Sequence, residues 1–214
     1  MKFLGYDNVL CMSPHPDDIE YGLIGTIIKY HETNFHIFCM TMGGIKFMNS
    51  VDRTRWDEVR NAWKTANIKN SKLIFTDCEY FEEKDRDSEW VNYTEKNVLK
   101  NQKFDCLFVP TKDDSMFEHR FVNNLAAPLA RHAAISIIEY KTPSTLTSWV
   151  PNLYVDIEEQ YDTKLKCLNC FKSQLQKSYF SKAAIDAFHI NYQLAKNGFN
   201  HVEQLKIIEL YDKI

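Results

Sequence analysis

Eight consecutive residues, Ser13-Pro14-His15-Pro16-Asp17-Asp18-Ile19-Glu20, bring together one imidazole and three carboxylates. Imidazole and carboxylate are ligand types of hydrolytic metal sites, and His15 and Asp18 stand three residues apart on one turn. A polar turn with Asp18 as a helix N-cap is the plainer alternative. It would account for one Asp, but not for the second or for the flanking His-Pro. The apolar run Val9 to Met12 precedes the segment and another, Leu23 to Tyr30, follows it. That order reads as strand, tight turn, helix, and ligands of open α/β sheets bind at the carboxyl ends of strands.

The remaining elements must position this turn. Strand-like apolar runs lie at Val9 to Met12, His36 to Met42, Leu73 to Phe75, Cys106 to Val109 and Ile135 to Glu139. Helical patterns are expected between them, at Ile19 to Tyr30, Arg53 to Ala66, Glu95 to Lys100 and Arg120 to His132. Trp56, Val59 and Trp63 form an apolar stripe at three-to-four spacing on the second of these. Alternating strands and helices predict a parallel sheet with right-handed crossovers. Beyond Pro143, the sequence predicts a short strand at Asn152 to Ile157 and a long amphipathic helix at Glu159 to Gln176. Ser181 is expected to cap a helix running to Lys196, with Gly198 as its stop, and a last helix is expected at Val202 to Tyr211. Asp77 to Asn92 and Thr111 to Glu118 read as long polar loops. Gly22 and Gly25 read as positions of close helix packing.

Composition narrows the function classes. The 214 residues are 44% hydrophobic, ample for a core, and are read as one α/β domain. A net charge of −3 with scattered Lys and Arg gives no footprint for nucleic acid. No apolar run approaches the roughly 20 residues of a membrane span. The N-terminus is too soon polar for a signal peptide, so a cytoplasmic location is expected. The six cysteines read as structural, since Cys11, Cys39 and Cys106 sit in apolar runs and the lone Cys167-x-x-Cys170 falls within a predicted helix. His31, His36, His132, His189 and His201 show no ligand spacing.

Pro14-His15-Pro16-Asp17-Asp18-Ile19-Glu20, followed by Gly22 and Gly25-Thr26-Ile27, resembles the opening motif of the LmbE-like (PIG-L) zinc-dependent N-deacetylases. Weaker matches follow in the family's order. These are Thr41-Met42-Gly43-Gly44, Arg55-Trp56-Asp57-Glu58, Asp114 to Arg120, Tyr140 to Thr145, Val155-Asp156-Ile157, Lys164 and Ser173-Gln174. The resemblance implies a Rossmann-like three-layer sandwich with a mostly parallel sheet and a helical C-terminal extension. It implies one Zn2+ per chain, or another divalent metal, held by His15, Asp18 and His119. It implies that Asp17 is the general base, and it places Arg55, Asp114 and Glu118 near substrate or behind a ligand. The implied substrate is a small N-acetylated sugar or sugar conjugate; a homo-oligomer stays open.

Two imidazoles and one carboxylate leave a position for water, as catalytic zinc requires. Neighbouring side chains on a turn point in different directions, so Asp18 can ligate while Asp17 faces that water. The sequence departs from the family at Met116, where relatives carry a His near the oxyanion, and Glu118 replaces an Asp. Lys112, Arg120 and Tyr140 are candidates for the missing role. The departure keeps open a weakened enzyme or a carbohydrate-binding relative without catalysis. An Fe(II) oxygenase also uses two His and one carboxylate, but usually on a β-barrel.

Overall fold

The computed structural model describes residues 1–43, 53–82, 85–100, 102–131 and 135–211. Seven strands form one sheet in the order β3-β2-β1-β4-β5-β7-β6. They are β1 (Asn8–Ser13), β2 (Asn34–Cys39), β3 (Ser71–Phe75), β4 (Cys106–Pro110), β5 (Ser136–Tyr140), β6 (Leu153–Asp156) and β7 (Val202–Glu209). The first five strands pair in parallel, and β7 runs antiparallel to both β5 and β6. The strand order reverses between β1 and β4, which makes their carboxyl ends the crevice of the sheet.

The helices are α1 (Asp18–Gly22), α2 (Ile24–Lys29), α3 (Thr54–Ala66), α4 (Asp87–Thr94), α5 (Phe117–Asn124), α6 (Ala126–Ala130), α7 (Tyr161–Leu168), α8 (Lys182–His189) and α9 (Tyr192–Ala195). Both faces of the sheet are covered, as a parallel sheet requires. Val9 and Cys11 of β1 pack with Ile24, Ile27, Val59, Trp63 and Leu168 on one face. Leu10 and Met12 pack with Val91, Val122, Leu125 and Leu129 on the other. This two-residue alternation puts α1, α2, α3 and α7 in one outer layer and α4, α5 and α6 in the other.

Several expectations are corrected. Val202 to Tyr211 is not helical; Val202 to Glu209 is a strand held by ladders on both sides. Its β-branched Val202, Ile207 and Ile208 suit that setting. The helix expected at Glu159 to Gln176 ends at Leu168, because the Glu58 carboxylate on α3 captures the Ser173 amide and hydroxyl, each at 2.7 Å, and diverts the backbone. Cys170 therefore lies past the helix end. The helix at Ser181 breaks at Ile190, although the Ser181 hydroxyl caps it by accepting from the Ala184 amide. Ile19 to Tyr30 splits at Leu23, and Arg120 to His132 at Leu125. The polar stretch Asp77 to Asn92 turns helical from Asp87. Gly44 and His132 lie outside the described residues. No described helix is long and apolar enough to cross a membrane.

Candidate active site

The turn after β1 is forced into an uncommon backbone shape. Asp17 has φ +101°, in the left-handed region that residues with a Cβ seldom adopt. Asp18 begins α1 and does not cap it; its Oδ2 accepts the His15 amide at 3.0 Å. Thr41, just beyond β2, donates its amide and hydroxyl to the Pro14 carbonyl at 3.0 and 2.7 Å. Arg55 on α3 donates to Asp17 Oδ2 at 3.0 Å and also to the Pro16 carbonyl. Gly43 makes room for that guanidinium, since a Cβ there would lie 2.0 Å from Arg55 Nη1.

His119 arrives from the second side of the crevice, in the first turn of α5. One ligand atom each from His15, Asp18 and His119 lies within 4.8 Å of the others. His15 Nδ1 is 3.4 Å from Asp18 Oδ2, and His119 Nε2 is 3.3 Å from Asp18 Oδ1. Asp114, fully enclosed, accepts His119 Nδ1–H at 2.9 Å and the Thr142 hydroxyl at 2.5 Å. That bond orients the ring and turns Nε2 toward the cluster. His119 Nε2 is buried and makes no hydrogen bond among the described residues. An orphaned imidazole nitrogen beside a carboxylate and a second imidazole fits a bound divalent cation.

The charges are strongly coupled. Burial pushes the Asp17 carboxyl up, Arg55 draws it partly back and Asp18 adds to the rise, leaving it at about 6. Burial lowers His119, but Asp18 and Asp114 outweigh it and carry the imidazole to about 10. Burial raises Asp18, yet His119 and His15 outweigh it and hold the carboxyl far below its ordinary range. Burial lifts Glu20 to about 7 despite the Trp63 indole N–H that it accepts.

A cavity of about 130 Å³ opens over the cluster, lined by Asp17, Asp18, Tyr21, Met116, His119, Pro143, Ser144 and Tyr179. Met116 thus sits at the site, while Glu118 is only half-buried and does not line the cavity. Arg55 and Asp114 stand behind Asp17 and His119. The candidates for the missing His lie elsewhere. Tyr140 donates to the Met12 carbonyl, Arg120 to the Asp114 carbonyl, and Lys112 is exposed. Sequence reasoning missed Tyr21, on α1, and Tyr179, in the segment beyond α7; no local pattern marks either as lining the cavity.

Residues 10–130, more than half of the chain, match the family model described as "PIG-L: GlcNAc-PI de-N-acetylase". A relative described as an uncharacterized deacetylase, YaiS of Escherichia coli (strain K12), is 26% identical over 170 residues, covering 77% of this chain and 90% of the relative. Among solved structures, N,N'-diacetylchitobiose deacetylase from Pyrococcus horikoshii, complexed with its inhibitor MPG, superimposes with TM-score 0.74 at 22% identity. That match covers 96% of this chain and 85% of the other. GalB of Pseudomonas putida KT2440, a 4-carboxy-2-hydroxymuconate hydratase, gives TM-score 0.75 at 15% identity, covering 97% and 98%. The family match and the deacetylase relative define the class as a de-N-acetylase, an amidohydrolase. The chain belongs to the PIG-L family.

Proposed function

We propose that the chain is a zinc-dependent hydrolase that removes the acetyl group from an N-acetylated amino sugar or sugar conjugate. The observation that carries this is a buried Asp17 carboxylate beside the orphaned Nε2 of His119 in one small cavity. Because the fold serves a hydratase too, the reading rests on the family match and on these residues.

His15, Asp18 and His119 would hold the ion, and Asp114 orients His119 from behind. When bound, zinc polarises the acyl carbonyl, stabilises negative charge on its oxygen and acidifies water. Asp17 takes the proton from the attacking water as the new C–O bond forms. It returns that proton to the amide nitrogen as the C–N bond breaks, and acetate and a free amine result. Arg55 holds Asp17 in its strained turn, so the carboxylate stays aimed at the cavity. Met116 offers no N–H to the developing oxyanion, which motivates the second reading, sugar binding without turnover.

The first test is metal content by elemental mass spectrometry, on protein purified without a metal-affinity tag. It is paired with acetate release from a panel of N-acetylated sugars. About one zinc per chain together with acetate supports the reading. Sugar affinity with no acetate after zinc is offered back selects the binding-only relative.

A further inference from the structure

The amino ends of the strands enclose a recess of their own. Asn8, Asn34 and Ser71 open β1, β2 and β3, and with Gln102, which precedes β4, they line a cavity of about 310 Å³. The His15–Asp18–His119 cluster follows the carboxyl end of β1, a rise of roughly 17 Å along the strand. The two cavities share no lining residue.

Lys69 and Lys72 are the cations of this recess, and both are exposed. Among the described residues neither forms an ion pair, and no Asp or Glu lines the cavity. The acids close by in sequence are engaged elsewhere. Asp105 Oδ2 accepts the Asp7 and Asn8 amides at 2.7 and 2.9 Å, and Asp7 pairs with Lys2. His36 on β2 also lines the recess and stands opposite Lys72 in the register of β2 and β3. It is only 8% exposed, and its Nδ1 has no hydrogen-bond partner among the described residues. Burial and the Lys72 charge hold its pKa below 6.5, so the two ammoniums set the charge of the recess at neutral pH.

The remaining polar lining consists largely of side-chain amides. Gln102 Nε2 lies 2.7 Å from His36 Nε2 and donates to Asn8 Oδ1 at 3.3 Å. Asn34 Nδ2 donates to that same oxygen at 3.2 Å, and Asn70 Nδ2 donates to the His31 carbonyl at 3.1 Å. These contacts use the amide nitrogens. Among the described residues they leave Gln102 Oε1, Asn34 Oδ1 and Asn70 Oδ1 without a donor. Free amide oxygens accept from hydroxyl groups, and unpaired ammoniums donate to the oxygens of a phosphate. The volume is at the small end of ligand sites, which begin at about 300 Å³.

We infer that this recess is a second ligand site, for a small phosphorylated sugar, with the phosphate on Lys69 and Lys72 and the sugar hydroxyls on Asn34, Asn70 and Gln102. The inference is independent of the deacetylase reading, since none of these residues belongs to the metal cluster or its cavity.

The test measures binding of glucose 6-phosphate, glucose and inorganic phosphate to the full chain by calorimetry, as purified and with chelator present. Glucose 6-phosphate is expected to bind at least about tenfold tighter than either of the others, with or without chelator. Its binding is expected to shift the NMR ring signals of His36, assigned by their loss in His36→Gln. In Lys69→Met with Lys72→Met the preference over glucose falls to about one; in Lys69→Arg with Lys72→Arg it survives. Exposed lysines of this kind are exchanged with little effect on stability. Lys166→Met with Lys172→Met makes the same change of charge at exposed positions outside the recess and is expected to keep the preference. Equal affinities for the three compounds, or unmoved His36 signals, overturn the site. So does a preference that persists without Lys69 and Lys72, or one that is lost equally without Lys166 and Lys172. A preference that disappears with chelator places the phosphate on a bound metal and overturns the site as well.

Discussion

Asp17 combines a strained backbone, a buried carboxyl raised to about 6 and a guanidinium at 3.0 Å. A group that must accept and return a proton near neutrality benefits from such a value, and a bound dication lowers it further. Asp17→Asn is expected to keep the metal and lose about 10²–10⁴-fold in kcat. Elemental analysis and acetate assays on one preparation check both halves, and normal turnover would remove Asp17 as the base. Met116→His returns an N–H donor to the cavity lining and is expected to raise kcat, by at most about 10²–10³-fold. An unchanged kcat would mean that another group already serves the oxyanion. Gly43→Ala forces a Cβ into Arg55 at a positive φ, and is expected to resemble Arg55→Ala in kcat. The cluster of His15, Asp18 and His119 was expected from the sequence, because His15 and Asp18 share one turn and the family resemblance singles out His119 in the Asp114 to Arg120 pattern. Glu118 was drawn into the site by the same pattern, but the helical turn carries it off the cavity lining.

At the scale of elements, the start of α2 depends on a side chain from the last strand. Glu203 on β7 accepts the Gly25 and Thr26 amides at 2.9 and 2.6 Å, and Lys164 on α7 donates to Glu203 and to the Tyr21 carbonyl. Neither charged side chain is exposed to solvent. Removing one partner strands a buried charge, so Glu203→Ala or Lys164→Met is expected to cost about 3–5 kcal/mol in urea unfolding. The double replacement Lys164→Met with Glu203→Leu is expected to recover part of that loss. Additive losses would mean that the charges are not coupled. Gly22 and Gly25 are small for packing reasons, as expected: a Cβ on Gly22 would meet the Lys141 carbonyl at 2.7 Å, and one on Gly25 would meet Glu203 at 2.9 Å. The sequence misleads at β7 because Val202, Leu205 and Ile208 are three apart, a helical spacing. What decides the matter is the open flank of β5, which only the assembled sheet presents. The long helix beyond Gln160 fails for a similar reason: a carboxylate on α3, remote in sequence, takes the amide of Ser173.

Across the whole molecule, stability carries a pH dependence that can be assigned. Burial holds His189 neutral, with its pKa well below 6.5. Its Nδ1 pairs with the Ile185 carbonyl and its Nε2 has no hydrogen-bond partner among the described residues. The unfolded chain binds a proton there below about 6.5 and the native chain does not. This contribution is therefore complete above about 6.5 and is lost as pH falls, at up to about 1.4 kcal/mol per pH unit. His189→Leu is expected to flatten the curve between about pH 6.5 and 5 by that slope, measured with chelator present so that metal does not contribute. His36, also lowered by burial, keeps its own share in both proteins. The alternating strands and helices made the three-layer fold legible, since a sheet buried on both faces leaves near-continuous apolar runs. The cavity above the site was not legible, because Tyr179 comes from a segment with no repeating pattern.

The clasp between Glu203 and the Gly25 and Thr26 amides also has a consequence for biosynthesis. A growing polypeptide emerges from its N-terminus, so the turn bearing His15 and Asp18 leaves the ribosome long before residue 203 exists. Until then, α2, the second helix after that turn, lacks its carboxylate anchor, and Lys164 lacks its counter-charge. Translation must thus pass residue 203 before this clasp can form, and a product cut short ahead of β7 would carry His15, Asp18 and His119 without the contact that anchors α2.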